Sequence, residues 1–260
     1  MSLSGTLVFE VFSRCVEAIV GGQLITRESR RDKEFHFQDW FSRRLSETSA
    51  HFEQAGRNQY PDFSLVEHTE GYEIKGLAYP GREATYDANS QVPSGFHNGR
   101  TVFYVFGRYP KEADAESEYP VVDLVVCHGD FLNAEHEYRH QNKSVKGFGS
   151  YGDIMIRDRK MYVVPTPFAI ASGLNGMRTL ILPRDYEAPE GFRKVGDLVR
   201  KEADKIVVAY EFDLTSNEIK ARRVENPDAG REHHFVAYRL GSDPASPVEL
   251  VERAIQTELE

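Results

Sequence analysis

The sequence predicts a mixed α/β (α+β) fold, a central mixed β-sheet flanked by helices, and three features carry that expectation. Residues 101–109 "TVFYVFGRY" and 119–128 "YPVVDLVVCH" are apolar, β-branched and aromatic runs of the kind that form buried, central strands. Phe37, Trp40, Phe41, Leu45, Thr48 and Phe52 recur at three- and four-residue steps between Asp32 and about Gln54, as one face of an amphipathic helix does. At 260 residues and 40% hydrophobic composition the chain is long enough to bury a sizeable core, so one domain over 1–260 is expected.

Taken in order, residues 5–20 have a mixed apolar pattern that suits a first helix, followed by the helix over 32–54. "AGRNQYP" then breaks the helix, and the residue before Pro61 is driven to an extended conformation. "DFSLVEH" and "YEIKGLAY" read as two strands joined around Thr69, Glu70 and Gly71. Residues 79–99 are rich in Gly, Pro, Asn and Ser without a sustained period, and so predict a long polar loop. After the two buried runs, "KMYVVPTPFAI", "KIVVAYEFDL" and "HHFVAYRL" add strands, and "SPVELVERAIQTEL" is a terminal helix opened by Ser246 and Pro247.

Composition narrows the function. No run approaches eighteen uncharged apolar residues, and Glu10, Arg14 and Glu17 interrupt the N-terminal apolar stretch, so no membrane association and a cytoplasmic location are expected. Cys15 and Cys127 have no paired spacing, which points to core thiols rather than a disulfide or cysteine zinc site. A formal net charge of -9 argues against a protein that coats nucleic acid by neutralising many phosphates. It leaves room for a nuclease in which a basic cleft and a divalent metal offset the local carboxylates.

The stretch "YPDFSLVEHTEGYEIKG", residues 60–76, concentrates the chemistry. Alternate side chains of a strand share a face, so Glu73 and Lys75 point one way and Ile74 the other. Pairing with the preceding strand brings Asp62 near Glu73. Two carboxylates at one point repel, and a divalent cation relieves that repulsion; hard oxygen ligands of this type suit Mg²⁺. Lys75 adds a point charge that orients a water or neutralises charge developing on phosphorus, and the set fits metal-assisted phosphodiester hydrolysis. The plain alternative is a solvated hairpin, since Pro-Asp followed by acid-x-Lys arises by accident in about one chain in twenty of this size. Elsewhere the parts are incomplete: Glu218-Ile219-Lys220 has no Pro-Asp at a suitable distance before it, and Pro227-Asp228 has no later lysine.

On Pro61, Asp62, Glu73 and Lys75, with a helix before them and the 101–108 strand after, the chain resembles the PD-(D/E)XK nuclease superfamily, and within it the type II restriction endonucleases. The resemblance covers roughly residues 30–130. It implies a core of a helix, an antiparallel strand hairpin bearing the catalytic residues, further strands and a crossover helix. It implies Mg²⁺-dependent, sequence-specific cleavage of double-stranded DNA leaving 3′-hydroxyl and 5′-phosphate ends, with Asp62 and Glu73 as metal ligands and Lys75 as the catalytic amine. Palindromic sites favour a homodimer. Many relatives also draw an acid from the preceding helix, where Glu34, Glu47 and Glu53 stand; Glu47, two positions from Leu45, is the candidate for an additional acid, against the plain alternative of a solvated helix charge. The same core also serves repair and RNA-processing nucleases, and a non-catalytic nucleic-acid-binding module is the reading of another class.

A second motif competes. His136-Glu137-Tyr138-Arg139-His140 is an HExxH, which on a helix places two imidazoles one turn apart for zinc in a peptidase. "QNKSVKGFGSYG" follows at once and breaks any such helix, and no downstream acid stands in a recognisable third-ligand motif. Under the nuclease reading, Arg139, His140, Lys143 and Lys146 supply donors to phosphates or base edges, and Asn89, Gln91, Ser94, His97 and Asn98 in the 79–99 loop are further candidates for contacting DNA.

Overall fold

The computed structural model describes residues 6–26, 33–56, 59–81, 85–87, 93–111, 118–133, 163–167, 170, 176–213, 215–216 and 218–244. The terminal helix expected at 246–259 and the His136–His140 motif lie outside these residues.

The order of elements is α1 (Val8–Val20), β1 (Ile25–Thr26), α2 (Lys33–Ser46), β2 (Phe52–Gln54), β3 (Phe63–Leu65), β4 (Glu70–Tyr79), β5 (Thr85–Asp87), β6 (Phe96–His97), β7 (Arg100–Pro110), β8 (Glu118–Tyr119), β9 (Asp123–His128), α3 (Gly129–Asn133), β10 (Val163–Pro165), β11 (Arg178–Pro183), β12 (Phe192–Lys201), β13 (Lys205–Asp213), β14 (Glu218–Glu225) and β15 (Glu232–Leu240). The fold is mixed α+β, built on a nine-stranded sheet ordered β12-β15-β11-β9-β7-β4-β3-β2, with β6 added to β7. β4 and β7 run parallel, as do β9 and β11, while β2/β3, β3/β4 and β7/β9 are antiparallel. Three further pairs, β1/β8, β5/β10 and β13/β14, stand outside it. No helix among the described residues is long and apolar enough to cross a membrane.

Alternation along the strands sorts the apolar side chains into two layers. Tyr72, Ile74, Phe103, Val105, Leu124 and Val126 join Val8, Phe12 and Cys15 of α1 and Phe37, Phe41 and Leu45 of α2 on one side. Tyr104, Phe106, Val125, Cys127, Ile181 and Phe131 form the other. Burial of each large side chain in α2 contributes about 1.5–3 kcal/mol relative to exposure. The close approach of α2 depends on Gly107 in β7, where a Cβ would lie 2.1 Å from Cζ of Phe37.

Two elements differ from the sequence reading. The second helix ends at Ser46 rather than near Gln54, because the backbone tightens to Glu47 N–H donating to Arg44 O and Thr48 N–H to Leu45 O, and the Thr48 hydroxyl also donates to Leu45 O at 2.7 Å. Phe52 keeps the helical spacing yet packs from β2, its ring 5.6 Å from that of Phe63. The 79–99 stretch, expected as loop, carries β5 and β6. Both sequence cysteines are buried and free, and burial pushes each thiol pKa up.

Candidate active site

Asp62 sits one residue before β3, and its position follows from the strand register. Ser64 pairs with Gly71 and Phe63 with Tyr72, and continuing that register by one step would set Asp62 on the same face as Glu73. Asp62 is held from two sides: Ala55 N–H donates to its backbone carbonyl at 2.7 Å, and Ile74 N–H donates to Oδ2 at 2.8 Å. The carboxylate thus continues the ladder of β4 past the end of β3. Gly71 permits this approach, because a Cβ there would lie 2.5 Å from Cγ of Pro61.

Along β4 the inward residues Tyr72 and Ile74 face the helices, which leaves Glu73 and Lys75 on the opposite face. There Lys75 Nζ donates to Glu73 Oε1 at 2.7 Å, both side chains being only 13% exposed. Parallel pairing with β7 sets Tyr104 beside Glu73 and Phe106 beside Lys75. The Tyr60 and Tyr104 hydroxyls are hydrogen-bonded at 3.0 Å. Burial pushes the Tyr60 phenol up; the Tyr104 hydrogen bond opposes this, nearby Glu73 adds to it, and Lys75 and the Ser94 backbone pull back down. Tyr104 is raised mainly by burial, and so is Tyr86, whose hydroxyl is buried without a hydrogen-bond partner among the described residues. Glu73 is close enough to all three phenols to raise each of them further.

Beside Asp62 opens a groove of about 480 Å³, lined by Glu53, Gln54, Ala55, Gln59, Tyr60, Pro61, Ser64, His97 and Asn98. The Tyr60 and His97 rings meet edge to face with centroids 4.9 Å apart. Asn98 and Gly99 both have positive φ, +48° and +81°, as a two-residue hairpin turn between β6 and β7 requires.

Of the residues singled out from the sequence, Asp62, Glu73 and Lys75 come together, and His97 and Asn98 line the adjoining groove. Ser94 does not present its hydroxyl outward in the same way: it donates to Phe96 O and accepts from Phe96 N–H, clamping the turn. Glu47 is not brought to the cluster. Its carboxylate lies 2.7 Å from Arg44 beyond the end of α2, close enough to Cys15 of α1 to act on it electrostatically, on the helix-covered side of the sheet. Asn89, Gln91, Arg139, His140, Lys143 and Lys146 fall outside the described residues. Glu218 and Lys220 lie on β14 in the separate β13/β14 pair. The sequence reading passed over Tyr60 and Tyr104. Tyr60 abuts Pro61-Asp62 in the chain, whereas Tyr104 joins the site only through the β4/β7 register.

Carboxylate oxygens are hard donors of the kind Mg²⁺ accepts, and Lys75 engages Oε1 of Glu73. No group of three or more His, Cys, Asp and Glu side chains able to hold a metal occurs among the described residues. A cation held by Asp62 and Glu73 would therefore complete its shell with water and substrate oxygens, as Mg²⁺ commonly does. Comparison with known proteins returns no matching family model, no matching curated protein and no matching solved structure.

Proposed function

We propose that the protein is a Mg²⁺-dependent, sequence-specific endonuclease of double-stranded DNA, a type II restriction enzyme of the PD-(D/E)XK kind. The observation that carries this reading is the bond from the Ile74 amide to the Asp62 carboxylate, which fastens that acid to the backbone between Glu73 and Lys75, themselves 2.7 Å apart on one face of β4. The order of α2, the antiparallel β3/β4 pair and the next sheet strand β7 agrees with the core that the resemblance implies. In place of a crossover helix, the described part of the β4–β7 connection contains β5 and β6.

Asp62 and Glu73 would hold the metal, whose chemistry is to polarise the scissile phosphate and lower the pKa of a bound water. Asp62 is suited to its part because the Ile74 amide and the Ala55 amide fix it from both sides. Lys75 offers N–H donors to the attacking water and a positive charge where charge gathers on the phosphate oxygens. Its bond to Glu73 holds the flexible side chain at that place before substrate arrives. A homodimer matches two-fold symmetric DNA sites, and the enzyme acts in the cytoplasm.

Incubating the purified protein with phage DNA and Mg²⁺ tests the reading. Discrete fragments are expected. A smear would move the assignment to a nonspecific nuclease on the same core, and intact DNA would overturn it. With Ca²⁺ in place of Mg²⁺, binding is expected with little turnover, because the looser Ca²⁺ shell positions water less strictly.

A further inference from the structure

We propose that the groove beside Asp62 is a subsite for one base of the DNA, selected by its amino group, with Glu53 as the residue that reads it. The inference rests on the endonuclease reading and adds a specificity determinant to it. Glu53 pairs with Ser64 in the β2/β3 register, while Phe63 and Leu65 on either side of Ser64 face the helices. Alternation therefore puts Glu53 and Ser64 on the same face as Glu73 and Lys75.

Three properties of the groove choose its occupant. Glu53 is exposed and lines the groove, so the groove presents a carboxylate. Such a group repels phosphate and accepts hydrogen bonds, which makes the groove unsuitable for the DNA backbone and suitable for a base amino group. Tyr60 forms an apolar wall whose orientation is set at both ends, by its hydroxyl bond to Tyr104 and by the edge-to-face contact with His97. The Gln59 amide oxygen accepts from Gly56 N–H at 2.8 Å, which orients the side chain. Asn98 lines the groove from the β6–β7 turn. The volume, about 480 Å³, lies within the usual range for small-ligand sites. On the major-groove edge, cytosine N4 and adenine N6 are the amino donors, whereas guanine and thymine offer acceptors. The subsite therefore takes cytosine or adenine near the scissile phosphate.

Sequencing the ends cut from a pool of duplexes with randomised positions, in Mg²⁺, tests this with wild type, Glu53→Ala, Glu53→Gln and Asp62→Asn. Wild type is expected to favour cytosine or adenine at one position by roughly five- to 150-fold, the equivalent of about 1–3 kcal/mol for a good base contact. Glu53→Ala flattens that position to within about twofold and leaves the other positions unchanged, and Glu53→Gln shifts it toward adenine, whose N6 and N7 match an amide. Unchanged preferences in Glu53→Ala, with Asp62→Asn inactive, overturn the subsite and leave the endonuclease reading standing. A wild-type preference for guanine or thymine at the altered position overturns the subsite as well. Wild-type cutting by Asp62→Asn, or no cutting of any duplex by wild type, overturns the endonuclease reading and the subsite with it.

Discussion

The Asp62 carboxylate accepts a hydrogen bond from the Ile74 amide at 2.8 Å, so the first acid of the motif is fastened to the backbone between Glu73 and Lys75. Hydrogen bonds to charged groups contribute about 1.5–3 kcal/mol. Asp62→Ala is expected to lower stability by about that amount in urea unfolding as well as abolish cleavage. Asp62→Asn keeps an acceptor for the amide, so it loses cleavage with a much smaller loss of stability. Equal stability of Asp62→Ala and wild type would show that the bond does not hold the carboxylate.

Gly71→Ala reaches the site without touching its chemistry. The added Cβ would lie 2.5 Å from Pro61 Cγ and 3.1 Å from Phe63 O, forcing the residues on both sides of Asp62 to move. A displacement on the order of 1 Å costs about 100-fold in rate where reacting groups must be aligned. Cleavage assays on the folded variant should show a loss of that order, with the Mg²⁺ requirement kept.

The Tyr60–Tyr104 pair predicts a non-additive cycle. Tyr60→Phe leaves the buried Tyr104 hydroxyl without this partner, at a cost of about 1–3 kcal/mol. Removing both hydroxyls leaves less unmet, so the double variant should be more stable than the sum of the single losses predicts. Strict additivity in denaturant unfolding would contradict the pairing.

His128 predicts a pH dependence. Its ring is buried against Phe103 and Tyr186, and burial lowers its pKa, with Asp130 and Asp185 pushing the other way. The unfolded chain therefore binds this proton first as pH falls, so the contribution is whole above the ordinary histidine value of about 6.5 and is lost progressively below it. His128→Asn retains an acceptor for the Asp130 N–H and should flatten the fall in stability below about pH 6.5. An unchanged slope would remove His128 as its source.

The central strands were legible because β7 and β9 are filled on both faces, and continuous runs such as Val102–Phe106 and Leu124–Cys127 reflect that directly. Local periodicity could not tell where α2 stops: Phe52 falls on the helical stripe, and only its packing against Phe63 across β2/β3 makes it a strand residue. The same misreading placed Glu53 on a helix, whereas its cross-strand pairing with Ser64 sets it on the face of the candidate site. Within the site, the relation of Glu73 to Lys75 is a property of one strand and was visible. The nearness of Asp62 depends on the β3/β4 register, which the short separation made readable. Tyr104 arrives from a non-local parallel pairing that no local pattern encodes. Glu47 stands apart from the cluster, its carboxylate beside Arg44 one turn earlier.

Cleavage of a defined duplex, followed in Mg²⁺ for wild type, Glu73→Gln and Lys75→Ala at matched stability, addresses the central claim most directly. If the acid and the amine act in one assembly, as proposed, each variant alone should remove nearly all turnover, and the losses should not multiply when both are changed. Discrete wild-type fragments with both variants inactive are the predicted result. Wild-type cleavage by either folded variant, or none by wild type at any Mg²⁺ concentration, would contradict the assignment of Asp62, Glu73 and Lys75 as a nuclease centre.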